Sequence, residues 1–196
     1  MSETRLHTAL RRILKDLADC GAPCALVGGL AVSVRAEPRF TRDLDLAVAV
    51  NQDSDAEKLV RLLTPRGWHI DALVEQEGLN RLATVRLIPP KESGLLVDLL
   101  FASSGIEREI VAVAEPIEII EGLTVQVATT HHLIATKVLS RDDERRPQDR
   151  ADLAALLKIA SEDDIGAARE ALRAIEIRGF HRGKDLLGDL ERLLKR

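Results

Sequence analysis

Thr41-Arg42-Asp43-Leu44-Asp45-Leu46 opens a run to Val50 in which residue type alternates, and the run reads as a β-strand. Strand side chains alternate between faces, so Asp43 and Asp45 point one way while Leu44, Leu46 and Val48 point the other. Two carboxylates side by side repel unless a positive charge sits between them. A divalent cation meets that need. All-oxygen ligands suit magnesium, which takes one or two carboxylates plus waters and substrate phosphates. The plainer alternative is a solvated strand end, although Asp is depleted in strands.

Upstream, Ala25-Leu26-Val27 reads as a short buried strand that runs directly into Gly28-Gly29, with a helix over Leu30 to Arg35. Glycine lets a backbone approach a ligand closely, and a helix N-terminus offers free N–H groups to phosphate. A tight strand-to-helix turn would also account for the pair. Asp43 follows Gly29 by fourteen residues. One short helix and one loop, residues 36–42, therefore return the acidic strand beside the first, with glycines and carboxylates facing one cleft.

Further out, Leu6, Leu10, Ile13, Leu14 and Leu17 have helical spacing, so residues 3–19 form an amphipathic helix that Gly21 and Pro23 end. A helix is expected over 53–66, and strands over Trp68–Val74, Arg81–Ile88 and Leu95–Phe101, with Pro89-Pro90 and Ser93-Gly94 marking the last turn. A short helix near 105–113 and a hairpin, 117–120 with 123–127, follow. From Thr129 the pattern is helical: 130–140, 147–160, 163–176 and 183–195. Strands first and helices last predict an α+β fold, a mixed sheet flanked by helices with a C-terminal helical bundle. The division falls between a core of residues 1–128 and a helical part, 129–196, that completes the site; Arg141 to Arg146 is a charged junction within the latter.

Composition narrows the function. Apolar residues are 45% and charged residues 31% of 196, enough for a real core. Aromatics are scarce (three Phe, one Trp, no Tyr), which argues against readers of single-stranded nucleic acid that stack base after base. A net charge of -4 supplies no global cationic field. Cys20 and Cys24 make a poor zinc site and are expected to be free, buried thiols. The charged, helical N-terminus has no secretory apolar region and no run reaches membrane-spanning length, so a cytoplasmic protein without membrane contact is expected.

Four more charged residues matter. Asp98 lies in Leu95-Leu96-Val97-Asp98-Leu99-Leu100-Phe101, otherwise a fully buried strand, and a buried carboxylate needs a metal or an arginine such as Arg81 or Arg86. Lys137 shares the apolar face of helix 130–140 with Leu133, Ile134 and Val138, and Asp149 and Asp152 sit on or beside the packed face of helix 147–160. That arrangement is either an ion pair joining two helices or a pocket. Asp149, in the first turn after Pro147, also suits the helix dipole. His131-His132 opens a helix; adjacent helical side chains diverge, so no metal site is expected there.

Leu26-Val27-Gly28-Gly29, Arg39-Phe40-Thr41-Arg42-Asp43-Leu44-Asp45 and Val97-Asp98 together resemble the signature of the DNA polymerase β-like nucleotidyltransferases. Thr136-Lys137-Val138-Leu139-Ser140 and Arg146-Pro147-Gln148-Asp149-Arg150-Ala151-Asp152-Leu153 make the chain resemble, over residues 22–160, the AbiEii/MenT-like toxins of type IV toxin–antitoxin systems. The resemblance implies Gly28, Gly29, Thr41, Arg42 and Lys137 at the nucleotide, Asp43, Asp45 and Asp98 at Mg2+, and Asp43, Asp45, Lys137 and Asp152 as the catalytic set. In that family the third strand aspartate, here Asp98, is less uniform.

The expected reaction moves a nucleoside monophosphate from an NTP to an acceptor, with tRNA leading and a growth-inhibiting toxin as the biological outcome. A cognate antitoxin is a possible partner. Candidate RNA contacts are Arg35, Arg39 and Arg42, with Arg178, His181, Arg182 and Lys184. Alternatives are nucleotidylation of an aminoglycoside-like small molecule or a protein hydroxyl, and a nucleotide-binding module without chemistry. An acidic acceptor cleft would favour the aminoglycoside, a basic one RNA.

Overall fold

The computed structural model describes residues 4–76, 81–90, 94–142 and 147–195. Ser93 of the expected turn, Arg146 of the C-terminal motif and most of the charged junction lie outside the described residues.

Leu26, Leu46, Leu99 and Val85 stand side by side across four adjacent strands and are closed off from water. That row is the middle of a seven-stranded mixed sheet. Its strands are β1 (Cys24–Val27), β2 (Asp43–Val48), β3 (His69–Gln76), β4 (Arg81–Ile88), β5 (Leu96–Leu100), β6 (Glu115–Ile120) and β7 (Leu123–Val127). Their spatial order is β3-β4-β5-β2-β1-β7-β6. β2 runs parallel to β5 and antiparallel to β1, and β1 runs parallel to β7. The acidic strand is thus central, and the period-2 pattern sends Leu44, Leu46 and Val48 into the core while its carboxylates face the other side.

Helices α1 (Arg5–Asp19), α2 (Gly28–Arg35), α3 (Asp53–Leu63) and α4 (Glu107–Ala112) belong to the strand-rich part, and a 3-10 turn, Thr64–Arg66, follows α3. α1 buries Ala9, Leu10, Ile13 and Leu17 and also Asp16, which accepts the indole N–H of buried Trp68 at 2.8 Å and Arg66 at 3.0 Å. A buried indole needs such an acceptor. The sequence places Trp68 in a strand; instead it sits just ahead of β3, locked by α1.

After Thr129 the described chain is helical: α5 (Thr130–Ser140), α6 (Pro147–Ile159), α7 (Glu162–Ile177) and α8 (Leu186–Leu194). α7 starts on a capping box between Ser161 and Asp164. α5 is enclosed on most sides, burying His132, Leu133, Ile134, Ala135, Lys137, Val138 and Leu139. Its C-terminal carbonyls, Leu139 O and Arg141 O, accept Lys184 Nζ at 2.7 Å each.

Cys20 and Cys24 are free, as expected, but half-buried rather than buried, and desolvation pushes the Cys24 thiol up to about 11. No helix among the described residues is long and apolar enough to cross a membrane.

Candidate active site

β1 ends at Val27 and turns at once into α2. Val27 stands opposite Asp45 on β2, so the glycine turn comes down directly on the carboxylate. Gly28 adopts φ +64°, and a Cβ there would lie 1.9 Å from Asp45 Oδ2. Both facts demand glycine. The Gly29 backbone N–H donates to the Asp45 carboxylate, as the free donors of a helix start should.

Across the sheet, Asp45 stands in register with Asp98 on β5, and Asp98 with Arg86 on β4. The three side chains share one face. Arg86 donates to both oxygens of Asp98 at 2.8 Å, the planar fork geometry that suits a carboxylate. Arg81, the other arginine considered for Asp98, pairs with Asp53 at 2.6 Å. Burial, and then the charge of Asp98, push the Asp45 carboxyl up to about 6, against the pull of Lys137. Asp43 is exposed at the start of the strand, and its carbonyl accepts the Thr41 hydroxyl at 3.2 Å. Arg42 is exposed and its guanidinium lies over the Phe40 ring, 5.5 Å from the centroid.

Lys137 enters the cleft from α5. Its ammonium pairs with Asp149 at 2.7 Å and with Asp152 at 2.8 Å, both on α6 and both 2% exposed. The two sequence alternatives, ion pair and pocket, therefore coincide: the lysine that joins the helices also lines the cleft. Asp149 also accepts Ser140 Oγ at 3.2 Å. Asp152 sits behind the lysine, and Arg39 takes both its oxygens, at 2.6 and 2.9 Å. Burial raises the Asp152 carboxyl, but the Arg39 and Lys137 hydrogen bonds outweigh it and hold the group below the usual range.

Arg39 ties the loop before β2 to the helical part. Its guanidinium lies against Gly29, where a Cβ would stand 2.4 Å away, and its backbone exchanges hydrogen bonds with Ser33 Oγ. The sequence flagged Arg39 as an RNA contact, and the structure turns it inward. A loop residue four positions before the start of a strand carries no periodic signal for such a turn. Arg35 is likewise occupied, by Val127 O, Ala128 O and Glu115. Arg178 is bound to Gly105 O and Glu109, and Lys184 caps α5.

His131 and His132 do not diverge as expected. Both rings reach Thr129 Oγ1, at 3.2 and 3.0 Å, with centroids 4.2 Å apart. Burial, then its neighbour His131, pushes His132 down to about 4, so it stays neutral. Among the described residues no three His, Cys, Asp or Glu gather as a metal-holding cluster, here or at the cleft.

The cleft encloses about 560 Å³ between Gly28, Asp45, Asp98, Arg86 and Lys137, and it extends past Gln76 to Ser104 and Glu107. A glycine turn on a paired-carboxylate strand, with a lysine facing it across a cleft, defines a nucleotidyltransferase fold, and solved structures agree. An antigenic nucleotidyltransferase-like protein from Paracoccidioides brasiliensis superposes with TM-score 0.53 at 20% identity, covering 94% of this chain and 91% of that one. ANT(2'')-Ia, solved with adenylyl-2''-tobramycin, gives TM-score 0.54 at 16% identity over 89% of this chain and 99% of its own. The lincosamide antibiotic adenylyltransferase LnuA, with lincomycin bound, gives 0.50 at 12% identity over 82% and 100%. No curated protein matches the sequence significantly. Residues 12–194 match the family described as nucleotidyl transferase AbiEii toxin, Type IV TA system. The chain belongs to this family and is a nucleotidyltransferase.

Gly28→Ala is expected to cut nucleotidyl transfer by about 100-fold or more, because the new methyl displaces Asp45. Gly179→Ala isolates the backbone cost, since Gly179 has φ +80° with nothing within 4 Å of its added Cβ. Both variants should lose about 1–2 kcal/mol of stability in thermal melts, but only the first should lose activity.

Proposed function

We propose that the protein transfers a nucleoside monophosphate from an NTP to a hydroxyl of tRNA, with Mg2+ at Asp43 and Asp45, as the growth-inhibiting half of a toxin–antitoxin pair. The observation that carries this reading is Asp45 of β2 lying directly under the Gly28 turn and lining one cleft with Asp98 and Lys137, with Asp43 two residues before it on the same strand face. The donor set fits magnesium. It is oxygen only, it has two carboxylates on one strand face, and burial first, then the charges of Asp98 and Asp43, raise the Asp45 carboxyl, a cost that a cation would offset. When bound, the metal polarises the α-phosphate.

The chain's own residues do the rest. α2 begins at Gly28; the Gly29 N–H is given to Asp45, and the other first-turn N–H groups would take the triphosphate. Lys137 has three donors; Asp149 and Asp152 take two, and the third is left for a phosphate oxygen where charge grows as pyrophosphate leaves. Asp152, with both oxygens occupied, acts as a positioning residue for Lys137 and Arg39. Asp98, fixed by Arg86, keeps a second lone pair on each oxygen and would help Asp43 and Asp45 hold the metal. Thr41 and Arg42, in the loop that leads into β2, would reach the nucleotide from beside Asp43. An acceptor oxygen bonds to the α-phosphorus, the α–β anhydride bond breaks, pyrophosphate departs, and the acceptor's proton passes to a cleft carboxylate.

The exposed position of Asp43 at the start of β2 supports a macromolecular acceptor, which needs an open approach. A second reading, a small cationic acceptor, is favoured by Glu75 and Glu107 in the cleft lining. Purified protein is incubated with each α-labelled NTP, Mg2+ and total tRNA, beside Asp43→Ala. Label on tRNA with the parent protein alone supports the first reading. Pyrophosphate release only with an aminoglycoside supports the second. Absence of NTP binding and turnover with every base refutes both.

A further inference from the structure

Of the few aromatic side chains described, Trp68, Phe101 and Phe180 are buried at 0%, 4% and 6% exposure, and Phe40 alone is open, at 77%. In a chain with three Phe, one Trp and no Tyr, an exposed ring three residues before Asp43 is not explained by packing. One of its faces is taken by the Arg42 guanidinium, so the exposure belongs to the other face. Its backbone is held on both sides. Arg39 Nη1 donates to Phe40 O at 3.2 Å while the same guanidinium grips Asp152, and Thr41 is tied to Asp43 O. The loop that carries the ring is thus anchored, which lowers the ordering cost of seating a flat partner on it. Phe40 is not among the residues that line the cleft; it lies three residues before Asp43, in the loop that leads into β2.

We propose that Phe40, backed by Arg42, is a one-base stacking platform that seats a terminal nucleobase of a single-stranded RNA acceptor at the cleft mouth. This deepens the RNA-acceptor reading and rests on it. A guanidinium on the rear face supplies a cation beside the acceptor's phosphodiester as well as support for the ring. Scarce aromatics exclude a row of stacked bases; they leave room for one platform beside the reacting hydroxyl. The incoming nucleotide has the enclosed cleft for its own base, and the platform lies beyond it.

The test compares Phe40→Ala and Phe40→Trp with the parent protein. KM is read separately for NTP and for a short single-stranded RNA, and binding of the same fluorescein-labelled RNA is measured without NTP. Phe40→Ala is expected to raise the RNA KM and Kd about 10-fold, Phe40→Trp to restore them, and the NTP KM to stay level. An RNA with an abasic 3' end should bind parent and Phe40→Ala alike. A rise in the NTP KM with the RNA KM unchanged would assign the ring to the incoming base and overturn the proposal. Equal RNA labelling by the parent and Phe40→Ala would overturn the platform and leave the RNA reading standing. No RNA labelling or binding by the parent protein would remove both.

Discussion

Asp45→Asn is expected to transfer almost no nucleotide and yet, in a chelator at pH 7, to melt several degrees above the parent protein. The two effects have one cause. In the metal-free protein the Asp45 carboxyl is pushed up to about 6 by burial and by Asp98, so at pH 7 a charge is held where it is unfavourable. Asparagine keeps the shape and an acceptor oxygen for the Gly29 N–H but removes the charge. The difference between the ordinary carboxylate value and about 6 corresponds to at most about 3 kcal/mol. Asp45 is partly exposed, so about 1–2 kcal/mol is the discounted gain, which is a few degrees in Tm. The sign follows from proton counts. Between pH 3.8 and about 6 the folded protein binds more protons at this group than the unfolded chain, so parent stability falls as pH rises through that window. Calorimetry of the variant should lack that fall. Activity should drop about 1,000-fold, the several kcal/mol that a metal supplies to a phosphoryl transition state. A variant that melts no higher than the parent in chelator would refute the repulsion on which the metal assignment rests.

Lys137→Ala is expected to be the most destabilising single change in the cleft. It strips Asp149 of its only cation among the described contacts, leaving Ser140 Oγ, while Asp152 keeps Arg39. An uncompensated carboxylate that is 2% exposed costs about 3–5 kcal/mol. Against a total stability of about 5–15 kcal/mol this is a large share. In urea the midpoint should fall by about 2 M. Lys137→Met combined with Asp149→Asn replaces the pair by neutral groups and should recover most of the loss without recovering activity. A double variant that stays as unstable as Lys137→Ala would show that the lysine supports the helices by packing rather than by charge.

The acidic strand and the glycine turn were legible because strand periodicity alone puts Asp43 and Asp45 on one face, and because the fourteen residues from Gly29 to Asp43 leave room for only one short helix and a loop. Element types followed too, down to the hairpin of β6 and β7, since β-branched runs and turn residues alternate clearly there. What escaped was everything set by register between distant strands and by loop direction. That Arg86 rather than Arg81 holds Asp98 depends on how β4 slides against β5. The inward turn of Arg39 and the shared Thr129 of the two histidines are local geometry that no spacing encodes. The openness of Phe40 was invisible for the same reason: composition counts aromatics but does not say which one stays in water.

β1 is bonded on one side to β2 and on the other to β7, which ends at Val127, and the anchors of Lys137 are residues 149 and 152. During synthesis the strand that bears the carboxylates is therefore made long before the strand and helices that close around it. A ribosome adds about 5–20 residues per second. A nascent chain thus carries Asp43 and Asp45 for several seconds with no lysine opposite them. On the function proposed above, the cleft is incomplete for that interval, and a partner that recognises the strand-rich part would meet it before the site closes.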